Sequence, residues 1–291
     1  MPDATSAPAG RSAGDAAGAT AVLPRPGARL AYQVAGGGPV VVLIHGFGLD
    51  MRMWDAQLSP LAARFRVLRY DCRGFGASGP LDPAVPYAHV DDLVALLDHL
   101  GIEAAALVGL SFGGQLAVEA ALAAPTRVTR LALLSSVLDG VPWDKQSWAG
   151  LKTVTSQLET HGVLAARQAW LAHPLFAAAL EQPALASELA AMVASYPGQH
   201  WLGQDPETAG PRPPAEVLGG LAMPALVVAG EQDMPCFLEM TGTLARGIPG
   251  AEHTLIPGAG HMVNMERPAE VNALLASFLT RSANGRDGGG G

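Results

Sequence analysis

The chain has 291 residues, 49% hydrophobic and 15% charged, with 18 Lys and Arg against 26 Asp and Glu for a formal net charge of −8. That length fits one large domain or two ordinary ones of roughly 150 residues, and so apolar a chain is not wholly disordered. The acidic balance argues against non-specific nucleic-acid binding, which needs Lys and Arg to neutralise phosphates, and no apolar run reaches the ~20 residues of a bilayer span.

Residues 1–21 are mostly Ala, Gly, Ser, Thr and Pro. They carry too little bulky side chain to repay their ordering entropy, so a flexible extension is expected. It lacks the compact apolar stretch of a signal peptide. Arg29–Val34 reads as an antiparallel strand at the sheet edge. Val40–Ile44, Val67–Tyr70, Ala104–Val108, Val128–Leu134, Ala225–Ala229 and His253–Ile256 are short apolar runs bounded by turn residues. Such runs are expected of strands buried on both faces. Between them, Met53–Arg64, His89–Leu100, Gly113–Ala124 and Pro268–Leu279 read as helices. In the second of these Leu93, Leu96, Leu97 and Leu100 share one face, and Gly101 ends it. Alternating strand and helix predicts an α/β fold with a parallel sheet covered on both sides.

The alternation breaks once. Residues 139–213 hold no good strand but helix-like stretches at Trp148–His161, Val163–Leu171 and Ala184–Tyr196. The segment carries Trp143, Trp148, Trp170 and Trp201, four of the five tryptophans. It reads as a helical lid, some of whose aromatics line a pocket beneath it. The Gly-rich tail 282–291 is expected to be loose. The division is therefore a core at 22–138 and 214–281 with the lid between.

Gly109-Leu110-Ser111-Phe112-Gly113-Gly114 is a G-x-S-x-G sequence between a strand and a helix, the context that gives the motif meaning. A sharp turn forces the serine into a strained conformation and needs small neighbours. It presents the Ser111 hydroxyl at a helix N-terminus, where unpaired N–H groups face developing negative charge. A serine needs a base. His261, in Pro257-Gly258-Ala259-Gly260-His261 after the last strand, is the candidate. The imidazole needs a carboxylate. Asp233, in Gly230-Glu231-Gln232-Asp233, is placed at the C-terminal edge of the sheet, with Asp139 and Glu231 as rivals. The backbone N–H groups of Phe47, in His45-Gly46-Phe47-Gly48, and of Phe112 are candidate oxyanion donors. His45 is read as bracing its loop. His89 and His99 are expected to face solvent or pack, while His161, His173 and His200 lie in the insert, where a substrate contact is open to them. No His/Cys/Asp cluster has metal-ligand spacing, and Gly74-Phe75-Gly76 lacks the context of a dinucleotide turn, so neither metal nor nucleotide cofactor is implied. Two cysteines are too few for a disulfide scaffold and fit a reducing, cytoplasmic compartment.

Together these segments resemble the α/β-hydrolase family over Val22 to about Leu279. The likeness rests on His45–Gly48, Asp71-Cys72-Arg73-Gly74-Phe75-Gly76-Ala77-Ser78, Gly109–Gly114, Gly230–Asp233 and Gly260-His261 with Glu266-Arg267-Pro268. The resemblance implies an eight-stranded, mostly parallel sheet flanked by helices, with a helical cap after the sixth strand. It makes Asp71 and Arg73–Ser78 a structural loop and sets Cys72 and Cys236 too far apart for a disulfide. Haloalkane dehalogenases and epoxide hydrolases of this fold use an aspartate where this chain has Ser111. Carboxylesterases, enol-lactonases, C–C bond hydrolases and cofactor-free haloperoxidases or perhydrolases remain, as does a non-catalytic small-molecule binder. The Gly-Leu-Ser-Phe-Gly-Gly elbow resembles the esterase and enol-lactonase branch, since C–C hydrolases usually carry Asn where this chain has Leu110. The expectation is a serine hydrolase of a small, mainly apolar ester or lactone, with Trp143, Phe176 and Trp201 shaping the pocket. Its partner would be that substrate, neither nucleic acid nor membrane, and the chain a monomer or homodimer.

Overall fold

A computed structural model describes residues 18–208 and 215–281. The N-terminal extension up to residue 17 and the tail from 282 lie outside the described residues. The strands are β1 (Ala21–Arg25), β2 (Ala28–Ala35), β3 (Val40–Ile44), β4 (Arg66–Tyr70), β5 (Ala105–Leu110), β6 (Val128–Leu134), β7 (Ala225–Gly230) and β8 (Glu252–Ile256). They form one sheet in the order β1-β2-β4-β3-β5-β6-β7-β8. The β1–β2 and β2–β4 pairs are antiparallel and the other five parallel.

Burial follows from position in the sheet. β5 (AALVGL) and β7 (ALVVAG) are buried at every residue, as continuous apolar strands in a sheet covered on both faces must be. β8, at one edge, alternates weakly and leaves Leu255 exposed. Two sequence expectations change here. The strand at Arg29–Val34 is not the edge: Ala21–Arg25 pairs outside it. Ala21, assigned to the extension, already pairs with Tyr32. Pro24 hid this strand from sequence reading, but a proline is tolerated on an edge strand because its missing N–H costs no ladder bond.

The helices of the core are α1 (Asp55–Ala62), α2 (His89–His99) and α3 (Phe112–Ala123). Between β6 and β7 the chain leaves the sheet for α4 (Lys145–His161), α5 (Val163–Leu171), α6 (Ala177–Leu180) and α7 (Pro183–Ser195). The core then resumes with α8 (Pro235–Gly247), α9 (Val263–Glu266) and α10 (Pro268–Thr280). Among the described residues no helix is long and apolar enough to cross a membrane.

Specific polar contacts tie the inserted helices to the core. The Gln199 amide exchanges two hydrogen bonds with the Leu81 backbone (2.7 and 2.9 Å). Arg52 pairs with Asp50 at 2.6 Å and donates to Ser195 on α7 at 3.0 Å. The Asp71–Ser78 loop is built on backbone satisfaction. Asp71 accepts the N–H groups of Met51 (2.7 Å) and Ala77 (2.6 Å), and Arg73 makes a buried bidentate pair with Asp92 (2.7 and 2.8 Å). Cys72 and Cys236 are both buried and unbridged.

Candidate active site

Ser111 stands between β5 and α3 with φ 55° and ψ −115°, a conformation rare for a residue with a side chain. The turn exists because its neighbours are glycines. A Cβ on Gly109 would overlap the Gly113 carbonyl, and one on Gly113 would overlap the Ile44 carbonyl and sit 2.7 Å from that of His45. Ser111 N–H donates to Leu134 C=O (2.9 Å), and its own carbonyl accepts from Gly114, Gln115 and Val137 (3.0, 3.1 and 3.2 Å). The strained residue is thus pinned by β6 on one side and by α3 on the other.

His261 is carried by the loop between β8 and α9. Its Nδ1 lies 3.0 and 3.1 Å from the two carboxylate oxygens of Asp233. A carboxylate only accepts, so Nδ1 carries the proton and Nε2 keeps its lone pair. Asp233 also accepts the Met234 N–H at 2.7 Å, and its side chain is fully buried. Of the carboxylates weighed from sequence, Asp233 is thus the one paired with the imidazole. Asp139 lines the cavity described below, and Glu231 is exposed. Where β7 meets this loop a Cβ on Gly230 would overlap the carbonyls of Ala259 and Gly260, so glycine permits the approach that brings Asp233 to His261.

The loop has a brace that sequence reading did not assign. Glu266, quoted there only as part of a motif, is buried and accepts the N–H groups of Gly260 (2.5 Å) and Met262 (3.0 Å), the residues on either side of His261. Burial pushes its carboxyl pKa up, against those two amides. Arg267 holds the Gly258 carbonyl at 2.7 Å.

His45 braces its loop, as read from sequence. Its Nδ1–H donates to Gly46 C=O (2.8 Å) and its Nε2 accepts from Cys72 N–H (2.9 Å), which defines a neutral ring. Burial lowers its pKa accordingly.

A cavity of about 400 Å³ is lined by Ser111, His261, Phe47, Phe112, Trp143, Phe176 and Trp201. The candidate nucleophile, base, oxyanion residues and three pocket aromatics named from sequence therefore line it, while Asp233 stands behind His261. Trp170 lines it too, while Trp148 is half exposed. His89 packs, one of the two outcomes expected of it, and it also lines the cavity, which the sequence did not indicate. His200, Asp205, Glu207, Gln115 and Phe237 also line the wall, and none of them belongs to a motif. Two left a trace in the sequence: His89 at the start of a helix, and His200 in the insert, where a substrate contact is open to it.

Residues 39–268 match the sequence model of the family described as alpha/beta hydrolase fold. The chain belongs to the alpha/beta hydrolase fold family. The dihydrolipoyllysine-residue acetyltransferase component of the acetoin cleaving system of Cupriavidus necator is 33% identical, over 91% of this chain and 70% of that protein. Among solved structures, the enol-lactonase from Burkholderia xenovorans LB400 superposes with a TM-score of 0.76 at 28% identity, covering 90% of this chain and all of that one. A thermophilic esterase from Thermogutta terrifontis superposes at 0.74 and 28%, covering 90% of this chain and 98% of the esterase.

Proposed function

We propose that this chain is a serine hydrolase that cleaves a carboxylic ester or lactone of a small, mainly apolar substrate through an acyl-enzyme on Ser111. The observation that carries the reading is the shared cavity. A strained serine at a helix N-terminus opens onto the same space as a histidine whose Nδ1–H is held by a buried aspartate. The likeness to an enol-lactonase and an esterase supports it.

In this reading His261 Nε2 takes the Ser111 proton as Oγ bonds to the substrate carbonyl carbon. The carbonyl electron pair moves onto oxygen, where the N–H groups of Phe47 and Phe112 hold it. The tetrahedral intermediate collapses, the carbon–oxygen bond to the alcohol breaks, and His261 returns the proton to that oxygen. Water then attacks the acyl-serine with His261 again as base, releasing the acid and restoring Ser111. Asp233 stays ionised throughout and stabilises the imidazolium. The sequence calls for neither metal nor organic cofactor.

The experiment is hydrolysis of p-nitrophenyl acetate and butyrate together with fluorophosphonate labelling read by peptide mass spectrometry. Label on Ser111, and a loss of about 10⁴-fold or more in kcat/KM for Ser111→Ala, are expected. Wild-type turnover in that variant would refute the assignment.

A further inference from the structure

The cavity has two unlike ends, and the ring contacts separate them. At one end Phe237 lies 4.2 Å from the His261 ring and Trp143 5.5 Å from Phe237. At the other, His89 meets Phe112 at 5.2 Å and His200 stacks on Phe75 at 4.4 Å. The second end is polar, because Asp205 and Glu207 stand in its wall beside those two histidines.

The hydrogen bonding there is incomplete. Asp205 Oδ1 accepts the Tyr87 hydroxyl at 2.8 Å and the Glu207 N–H at 3.2 Å. Tyr87 has only one proton, so its oxygen accepts from His89 Nε2–H at 3.3 Å. Asp205 Oδ2 faces His200 Nε2 at 3.7 Å, beyond hydrogen-bond reach. The His200 side chain is nine-tenths buried, its Nδ1 lies 2.7 Å from the Tyr196 hydroxyl, and its Nε2 is buried with no partner. Burial pulls the His200 pKa down to about 4, so the ring is neutral near pH 7 and does not offset the aspartate. Arg73, with its guanidinium 4.5 Å from the Tyr87 ring centre, is bound in its pair with Asp92. Among the described residues no Lys or Arg lines the cavity.

A carboxylate accepts hydrogen bonds and donates none. In a recess with aromatic walls it favours a donor or a cation and penalises an anion, because the walls screen charge poorly. We propose that the His200–Asp205 end is the specificity pocket of the ester or lactone reaction proposed above, that it accepts a substrate carrying a hydroxyl or ammonium group, and that it rejects one carrying a carboxylate. The discrimination is partly repulsive, which is how a site excludes a competitor of similar shape.

The test uses four p-nitrophenyl esters of matched chain length, ending in methyl, hydroxyl, ammonium or carboxylate. The hydroxyl and ammonium esters are expected to exceed the carboxylate ester in kcat/KM by roughly ten- to a hundredfold. Asp205→Asn is expected to shrink that ratio about fivefold or more. Turnover of the carboxylate ester equal to or faster than the others overturns the proposal, as does an unchanged ratio in Asp205→Asn. Should that variant not fold, the wild-type ranking decides alone. A second arm reads the pocket without turnover: quenching of tryptophan fluorescence in Ser111→Ala by a small amino alcohol and by the matching carboxylic acid. Binding of the amino alcohol over the acid with no ester hydrolysed by the wild type would uphold the pocket and defeat the reaction. Ser111-dependent hydrolysis with no preference between the terminal groups would do the reverse.

Discussion

Glu266 offers the sharpest test of how the histidine loop is held. Its two carboxylate oxygens accept the amides immediately before and after His261, at 2.5 and 3.0 Å, in a site closed to solvent. Glu266→Ala leaves both N–H groups buried without an acceptor. Each such group costs about 1–3 kcal/mol, so the pair costs roughly 2–6 kcal/mol, the lower end applying if the loop relaxes toward water. Glu266→Gln keeps one acceptor oxygen and turns its NH2 toward the other amide, so about half that loss is expected. The effect on turnover comes through position, since Glu266 bonds the backbone around His261 while Asp233 holds the ring. Release of the loop by about 1 Å is worth on the order of 10²-fold in rate. It should appear in kcat with KM little changed. Urea unfolding of the wild type and both variants gives the stability order, and p-nitrophenyl ester kinetics gives the split. A Glu266→Ala protein with the wild-type urea midpoint and the wild-type kcat would show that the carboxylate does not hold this loop.

The remaining predictions concern the scaffold and pH. Asp92→Ala strands the buried Arg73 guanidinium and is expected to cost about 3–5 kcal/mol in urea unfolding; a loss under about 1 kcal/mol would refute the reading of that pair as buried and interdependent. Gly113→Ala drives a Cβ into two backbone carbonyls of the β3 end and is expected to cost more than about 3 kcal/mol. Gly37→Ala, with nothing within 4 Å of its added Cβ, serves as the control and is expected to be neutral. The melting temperature is expected to fall as pH drops from 7 toward 4. Burial depresses the pKa values of His45, His89, His173 and His200, in the last case to about 4. Their contribution is complete above the unfolded value of about 6.5 and is lost as pH falls through the depressed ones. Asp71 runs the other way. Burial pushes its carboxyl up to about 7, so its contribution is complete below the unfolded value of 3.8 and is lost as pH rises through about 7. Glu266, whose carboxyl pKa burial also pushes up, runs with Asp71. Four histidines oppose these two carboxyls, and a melting temperature that stays level or rises on acidification would contradict the balance.

Every strand run but β1, the glycine turn around Ser111 and the order Ser111, Asp233, His261 were legible in the amino-acid sequence. Each depends on local stereochemistry. A buried strand must be apolar along its length, and a turn at φ 55° needs glycines beside it. What the sequence could only nominate, or left open, were the pairings across distance. That His261 meets Asp233 depends on where β7 and β8 lie in the sheet. That Glu266 braces this loop depends on a four-residue helix turning back on it. That His89, His200 and Asp205 share one wall depends on the stretch after α7 settling on the loop before α2, where Gln199 bonds Leu81 and Asp205 reaches Tyr87, a contact spanning 118 residues. Such contacts leave no periodicity and no motif, because the residues that make them are neighbours only after the chain has folded.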